Sequence, residues 1–172
     1  GGAAGGGGGV LGGPAAALES FLGAGDLPPG LRRGFFHPEP RVGLGMKLAR
    51  GRLVTAAMDI SDGLGLDLAR LCEASGVGAR VEARNLPLHP GIFRKPRKAG
   101  FDPASFALAS GEEYELILAL RPGRVRAVRS ACARAGVPLT VVGRFRPRSR
   151  GLVLIRGGRS EAWPARGFQH RI

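Results

Sequence analysis

A chain of 172 residues, 44% hydrophobic and with a formal net charge of +13, is long enough to bury a core of its own and too apolar to be disordered throughout. No run approaches the roughly 18 to 20 apolar residues of a membrane span, and no stretch reads as a secretory signal, so the expectation is a cytoplasmic protein with no membrane partner. Cys72 and Cys132 each lie inside an apolar helical pattern, which predicts buried free thiols rather than a disulfide or redox pair.

The charge is almost all arginine, spread from Arg32 to Arg171, with lysine only at positions 47, 95 and 98. A nucleic-acid surface gathers its cations on one face and interleaves aromatics. Here the richest cluster, Arg121, Arg124, Arg126, Arg129 and Arg134, falls on a predicted helix, and only Phe145 sits among Arg144, Arg146, Arg148 and Arg150. The pattern argues against nucleic acid and for a general pull on small anions.

In chain order, Gly1 to Gly9 has no side-chain pattern to bury and predicts a disordered tail. Val10 to Leu22 turns helical, and Gly23 to Gly30 with its paired prolines reads as a linker. Pro40 opens a helix over 41–49. Leu53 to Met58 is an apolar run of strand length, and Leu64, Leu68, Leu71 and Cys72 mark one face of the helix that follows.

Between that strand and that helix stands Asp59-Ile60-Ser61-Asp62-Gly63. A strand end and a first helical turn suit two carboxylates and a hydroxyl shared around a cation or phosphate. Helix capping by Ser61 or Asp62 is the structural alternative, though it leaves Asp59 unaccounted for.

Gly76 closes the helix, 79–83 alternates as a strand, and 86–100 is a proline-rich basic loop. Asp102-Pro103 starts a short helix through Ala109. Ser110-Gly111-Glu112-Glu113-Tyr114-Glu115 then runs into the strand Leu116 to Leu120. If the acidic run is itself extended, Glu113 and Glu115 share one face and Glu112 and Tyr114 the other. The plainer reading is a solvated strand edge whose charges discourage aggregation. A helix over 124–135 and strands over 138–144 and 152–156 follow, and Trp163 and Phe168 give the tail an aromatic character that suits packing on its own domain or on a ligand ring.

Taken together, His37-Pro38-Glu39-Pro40-Arg41-Val42, Ala57-Met58-Asp59-Ile60-Ser61-Asp62-Gly63-Leu64, Cys72-Glu73-Ala74-Ser75-Gly76-Val77-Gly78-Ala79, Ser110-Gly111-Glu112-Glu113-Tyr114-Glu115-Leu116 and Gly167-Phe168-Gln169-His170 resemble the C-terminal half of the thiamine-monophosphate kinases, across about residues 10 to 172. Ser110 and Glu113 replace the Gly and Asp usual in that family, and Gln169 replaces an acid.

The resemblance implies an α+β fold, a mixed β-sheet flanked by helices like the aminoimidazole ribonucleotide synthetase C-terminal domain. It implies residues 1–9 as tail, 10–30 as a remnant of an N-terminal domain with its linker, and 31–172 as the C-terminal kinase domain. It implies transfer of the γ-phosphoryl group of ATP to thiamine phosphate, giving thiamine diphosphate, with Mg²⁺ and a homodimer in the complete enzyme. By the same resemblance Asp59 and Asp62 act as catalytic metal carboxylates, Ser61 contacts ATP, and Glu112 and Phe168 contact thiamine phosphate. Most of the nucleotide domain is missing by that comparison, so the chain alone is expected to be inactive. The alternatives are another Mg-ATP synthetase of the superfamily with a different acceptor, and a non-enzymatic basic nucleic-acid-binding module.

Overall fold

The computed structural model describes residues 3–7, 39–93 and 100–164. Among them seven strands join in one sheet: β1 (Ala3–Gly7), β2 (Ala56–Asp59), β3 (Val77–Glu82), β4 (Leu116–Leu120), β5 (Leu139–Pro147), β6 (Leu152–Arg156) and β7 (Arg159–Ala162). Four α-helices accompany them: α1 (Val42–Arg50), α2 (Leu64–Ala74), α3 (Pro103–Ala109) and α4 (Val125–Arg134). The strand order is β2-β4-β1-β5-β3-β6-β7, with β3 and β6 parallel and the other neighbours antiparallel. This is the mixed α+β architecture expected from the sequence.

Alternation along β4 separates two cores. Ile117 joins Leu64, Leu68, Leu71, Ala107 and Leu108 on the α2/α3 side of the sheet. Leu118 and Leu120 join Leu44, Leu48, Val128 and Cys132 on the α1/α4 side. Each helix has one apolar stripe and the sheet has two apolar faces, so a helix pair on each side buries both. Cys72 and Cys132 are buried free thiols in opposite cores.

The glycine tract departs from expectation. Ala3–Gly7 lies between β4 and β5, with Gly5 opposite both Leu118 and Val141. A strand paired on both sides makes its ladder from main-chain groups, which glycine carries like any other residue. Residues 3–7, expected to belong to a disordered tail, are instead part of the domain's sheet. The helix and linker expected over 10–30 lie outside the described residues.

Asp102 caps α3, its carboxylate accepting the Ser105 amide at 2.8 Å, as the Asp-Pro pair predicts. The same carboxylate accepts the two terminal guanidinium nitrogens of Arg156, at 2.5 and 2.8 Å, which ties α3 to β6. Burial works to raise its pKa, but the bonds from Ser105 and Arg156 outweigh that and hold the carboxyl below its ordinary value. The loop after β3 is partly core, since Leu86 and Ile92 are buried. β7 was not legible as a strand because all four of its residues are exposed, which leaves no apolar alternation to read.

Candidate functional site

The acidic turn begins at the last residue of β2. That strand pairs with β4 and lies at one end of the sheet order, so its side chains are alternately half-buried and exposed, and Asp59 falls on an exposed position. Its exposure means that Asp59 needs no buried partner. Ile60 is buried between the two acids, and its amide donates to the Glu115 carbonyl at 2.8 Å.

The helix cap is neither Ser61 nor Asp62. Gly63 occupies the N-cap without a side-chain bond, its carbonyl accepting from Leu66 and Asp67. The residue that fixes the turn is Asp67, which the sequence reading passed over. Its carboxylate is 0% exposed, and one oxygen accepts both the Ser61 and the Asp62 amides at 2.9 Å. The other accepts Arg70 at 2.9 Å. A carboxylate facing amides at a helix N-terminus is favoured by the helix dipole as well. The signal was present, because Asp67 interrupts the apolar face of Leu64, Leu68 and Leu71, where an acid persists only when paired.

Arg70 also pairs with Asp62, so the guanidinium bridges the turn carboxylate and the buried one. Both hydrogen bonds, Asp62 first, raise the arginine pKa further.

The second acidic motif packs directly against this turn. The Glu112 amide donates to the Ser61 carbonyl at 2.7 Å, and the Tyr114 amide to the Ile60 carbonyl at 2.9 Å. Residues 110–115 are not strand: Glu112 and Tyr114 have φ of 62° and 50°. Two left-handed side-chain-bearing residues in one short segment store strain that surrounding contacts must hold. Glu112 and Tyr114 point out, while Glu113 and Glu115 are only 8% and 9% exposed. The two pairs part as alternation predicts, but through a left-handed turn, and the solvated-edge reading fails for the buried pair.

Each buried acid has its own partner. Glu115 accepts Arg41 through both oxygens, at 3.2 and 2.8 Å, and Arg41 also reaches Glu39 at 3.2 Å. The bond to Glu115 is the main cause that raises the Arg41 pKa. Ser110 Oγ lies 3.1 Å from Glu113 Oε1 and 2.9 Å from the Ala107 carbonyl.

The fit is close enough to require glycine between the motifs. Gly63 has φ of +105°, and a Cβ there would stand 2.7 Å from the Ser110 carbonyl oxygen and 3.0 Å from that of Leu108. Trp163 closes the same neighbourhood from the C-terminal side, its indole N–H donating to the Gly65 carbonyl at 2.7 Å. That is the packing of the tail on its own domain; Phe168 lies outside the described residues.

The structure thus pairs the backbone of Glu112 with that of Ser61, in the β2–α2 turn that also carries Asp62 and follows Asp59. Among the described residues no group of three or more His, Cys, Asp or Glu side chains could enclose a metal. Two accessible carboxylates nevertheless match what Mg²⁺ takes from proteins when substrate phosphates and water supply the remaining oxygens. The donor chemistry fits a shared site and does not fit a closed protein cage.

Residues 5–155 match the family described as AIR synthase related protein, C-terminal domain. A thiamine-monophosphate kinase of Rhodopirellula baltica is 40% identical over 107 residues, covering 62% of this chain and 33% of that protein. The crystal structure of thiamine-monophosphate kinase from Stenotrophomonas maltophilia K279a superposes with a TM-score of 0.77 at 29% identity, covering 94% of this chain and 51% of that one. AaThiL complexed with AMPPCP and TMP superposes with a TM-score of 0.75 at 26% identity, covering 99% and 52%. The chain spans about half or less of the length of these relatives.

Proposed function

The chain belongs to the family described as AIR synthase related protein, C-terminal domain, and on that footing we propose that it supplies the C-terminal half of an ATP-dependent kinase that converts thiamine phosphate to thiamine diphosphate. The observation that carries the reading is the direct backbone pairing of the two acidic motifs, Glu112 to Ser61 at 2.7 Å and Tyr114 to Ile60 at 2.9 Å. On this reading, groups suited to a metal-bound nucleotide lie beside a group suited to a cationic acceptor. Likeness to thiamine-monophosphate kinases, one in complex with AMPPCP and TMP, supports the substrate pair.

In the reaction, an oxygen of the thiamine phosphate attacks the γ-phosphorus of ATP, the bond from that phosphorus to the β–γ bridging oxygen breaks, and ADP leaves. Little covalent work falls to the protein, so catalysis reduces to aligning oxygens and neutralising charge. Asp59 and Asp62 would hold Mg²⁺, which when bound supplies positive charge against the phosphates. Ser61 presents its hydroxyl between those carboxylates to the nucleotide. Exposed Glu112 offers a negative charge to the thiazolium, and Phe168 an aromatic face to the same cation. Asp67 holds Ser61 and Asp62 in register through their amides. A homodimer, a partner N-terminal domain, and a location where ATP is available, the cytoplasm, belong to the same reading.

The test is thiamine diphosphate formation from ATP and thiamine phosphate by this chain alone and with a thiamine-monophosphate kinase N-terminal domain added. The reading expects product only in the complemented mixture, lost by orders of magnitude in Asp62→Asn. Glu112→Ala should raise the Michaelis constant for thiamine phosphate and leave that for ATP unchanged. Equal effects on both substrates, or full activity of Asp62→Asn, would overturn the assignment.

A further inference from the structure

At the end of the β2–β4 pair away from Asp59, Arg52, Leu53, Val54, Thr55, Arg121 and Arg124 line a cleft of about 330 Å³. β2 rises about 3.3 Å per residue, so Thr55 and Asp59 stand about 13 Å apart and the cleft is a different place from the acidic turn. Its volume is at the small end of the range for ligand pockets. All three arginines are exposed, and none makes an ion pair among the described residues. Among the described residues Arg41, Arg70, Arg80 and Arg156 pair with a carboxylate; Arg126 and Arg129 share the unpaired state of the cleft's arginines, and what sets Arg52, Arg121 and Arg124 apart is that they line one concavity.

One backbone feature adds to the charge. Arg52 has φ of 49° at the C-terminal exit of α1, where its amide bonds to the Ala49 carbonyl and the Leu53 amide to that of Leu48. That left-handed position favours glycine, and a side chain there is held at a cost. On the other wall a 3₁₀ turn over 122–124 leads into α4, the Arg124 and Val125 amides donating to the Arg121 and Pro122 carbonyls, and the first turn of α4 holds no acid that would repel an anion. Among the described residues, three guanidinium groups without an ion pair, one of them on a left-handed backbone, line one concavity with no carboxylate among its lining residues.

We propose that this cleft is a second binding site, specific for a small multiply charged phosphate anion and separate from the acidic turn. Guanidinium forks suit phosphate oxygens, and two or more of them distinguish a polyanion from chloride. The assignment does not depend on the reaction proposed above.

Isothermal titration of the 172-residue chain with inorganic pyrophosphate, at low salt and without metal, tests it. The expected result is saturable one-to-one binding, weakened at least tenfold in the Arg121→Gln/Arg124→Gln double variant. Arg126→Gln/Arg129→Gln removes the same two charges from α4 outside the cleft and should change affinity less than twofold, as should Glu112→Gln. Arg52→Gly should weaken binding while raising Tm, because it removes a cation and relieves its backbone. Equal weakening in the two arginine pairs would reduce the site to general charge attraction and overturn it, as would the absence of saturable binding. A short single-stranded oligonucleotide that binds more tightly than pyrophosphate and loses its binding in the same double variant would overturn the small-anion class. A lower Tm in Arg52→Gly would overturn the reading of Arg52 as a residue held for its charge.

Discussion

The buried carboxylate of Asp67 accepts the backbone amide of Asp62 at 2.9 Å, so the accessible acid of the β2–α2 turn is positioned by an acid that never meets solvent. The same oxygen takes the Ser61 amide, and two consecutive amides on one acceptor leave the turn little freedom. Neither the Ser61 nor the Asp62 side chain is needed to satisfy the turn's backbone, and the Asp62 carboxylate is taken up by Arg70.

Asp67→Ala removes the acceptor from both amides and should destabilise the chain by about 2 to 4 kcal/mol, the cost of leaving buried donors unpaired. Urea denaturation at neutral pH measures it. A loss below 0.5 kcal/mol, roughly the noise of surface substitutions, would mean that water replaces the carboxylate and that the turn is held elsewhere.

Gly63→Ala should cost at least about 1 to 3 kcal/mol, since its φ of +105° is strained for any side chain and the new Cβ would meet the Ser110 and Leu108 carbonyl oxygens. Those atoms are backbone and cannot swing aside, so the two acidic motifs must separate. Reduced amide protection at Glu112 and Tyr114, read by hydrogen exchange, is the accompanying sign. Unchanged protection with wild-type stability would show that the motifs are not packed as described.

How much of this was legible in the sequence depends on whether side chains or backbone carry the feature. The Leu64, Leu68, Leu71 and Cys72 stripe gives α2, and Leu116 to Leu120 gives β4, because burial is written in side chains at fixed periods. The strand Ala3–Gly7 is held by main-chain bonds and has no such period. The left-handed turn at Glu112 and Tyr114 is similarly silent, since neither residue type signals positive φ. The burial of Glu115 rests on Arg41, seventy-four positions away, a pairing that no local window contains. Asp67 was the one decisive site residue visible from spacing alone.

Burial pushes the Cys72 thiol up from 9.0 to about 11, with Cys132 raised for the same reason. Both should resist alkylation in the folded chain at pH 8 and react once it is denatured, because the thiolate is the reactive form. The linkage sign follows from a raised folded-state pKa. Below the unfolded value near 9 the thiol is protonated in both states and the native state pays nothing. As pH climbs from 9 toward about 11 the unfolded chain ionises first and stability falls. Chemical denaturation at pH 8, 9.5 and 10.5 in Cys72→Ala and the unaltered chain isolates the effect, which should appear as a steeper decline in the chain that keeps the thiol. Parallel declines would remove Cys72 as the cause.

The last expectation concerns the cation already present at the acidic turn. Arg70 pairs with Asp62 and with Asp67, so a divalent ion drawn to Asp62 must compete with a guanidinium for the same oxygens. Arg70→Gln removes that competitor and one positive charge, and should tighten Mg²⁺ or Mn²⁺ binding to the chain several-fold, most visibly at low salt where exposed charges are least screened. Asp62→Asn should abolish the gain, because it removes the carboxylate for which the two cations compete. Asp59→Asn should weaken metal in the Arg70→Gln background too, if both carboxylates contribute oxygens. Water-proton relaxation with Mn²⁺ reads the affinity directly and needs neither nucleotide nor turnover. Weaker metal binding in Arg70→Gln would mean that Arg70 holds the carboxylate in its binding position rather than occupying it. Affinity that does not change in any of the three variants would place the metal away from this turn.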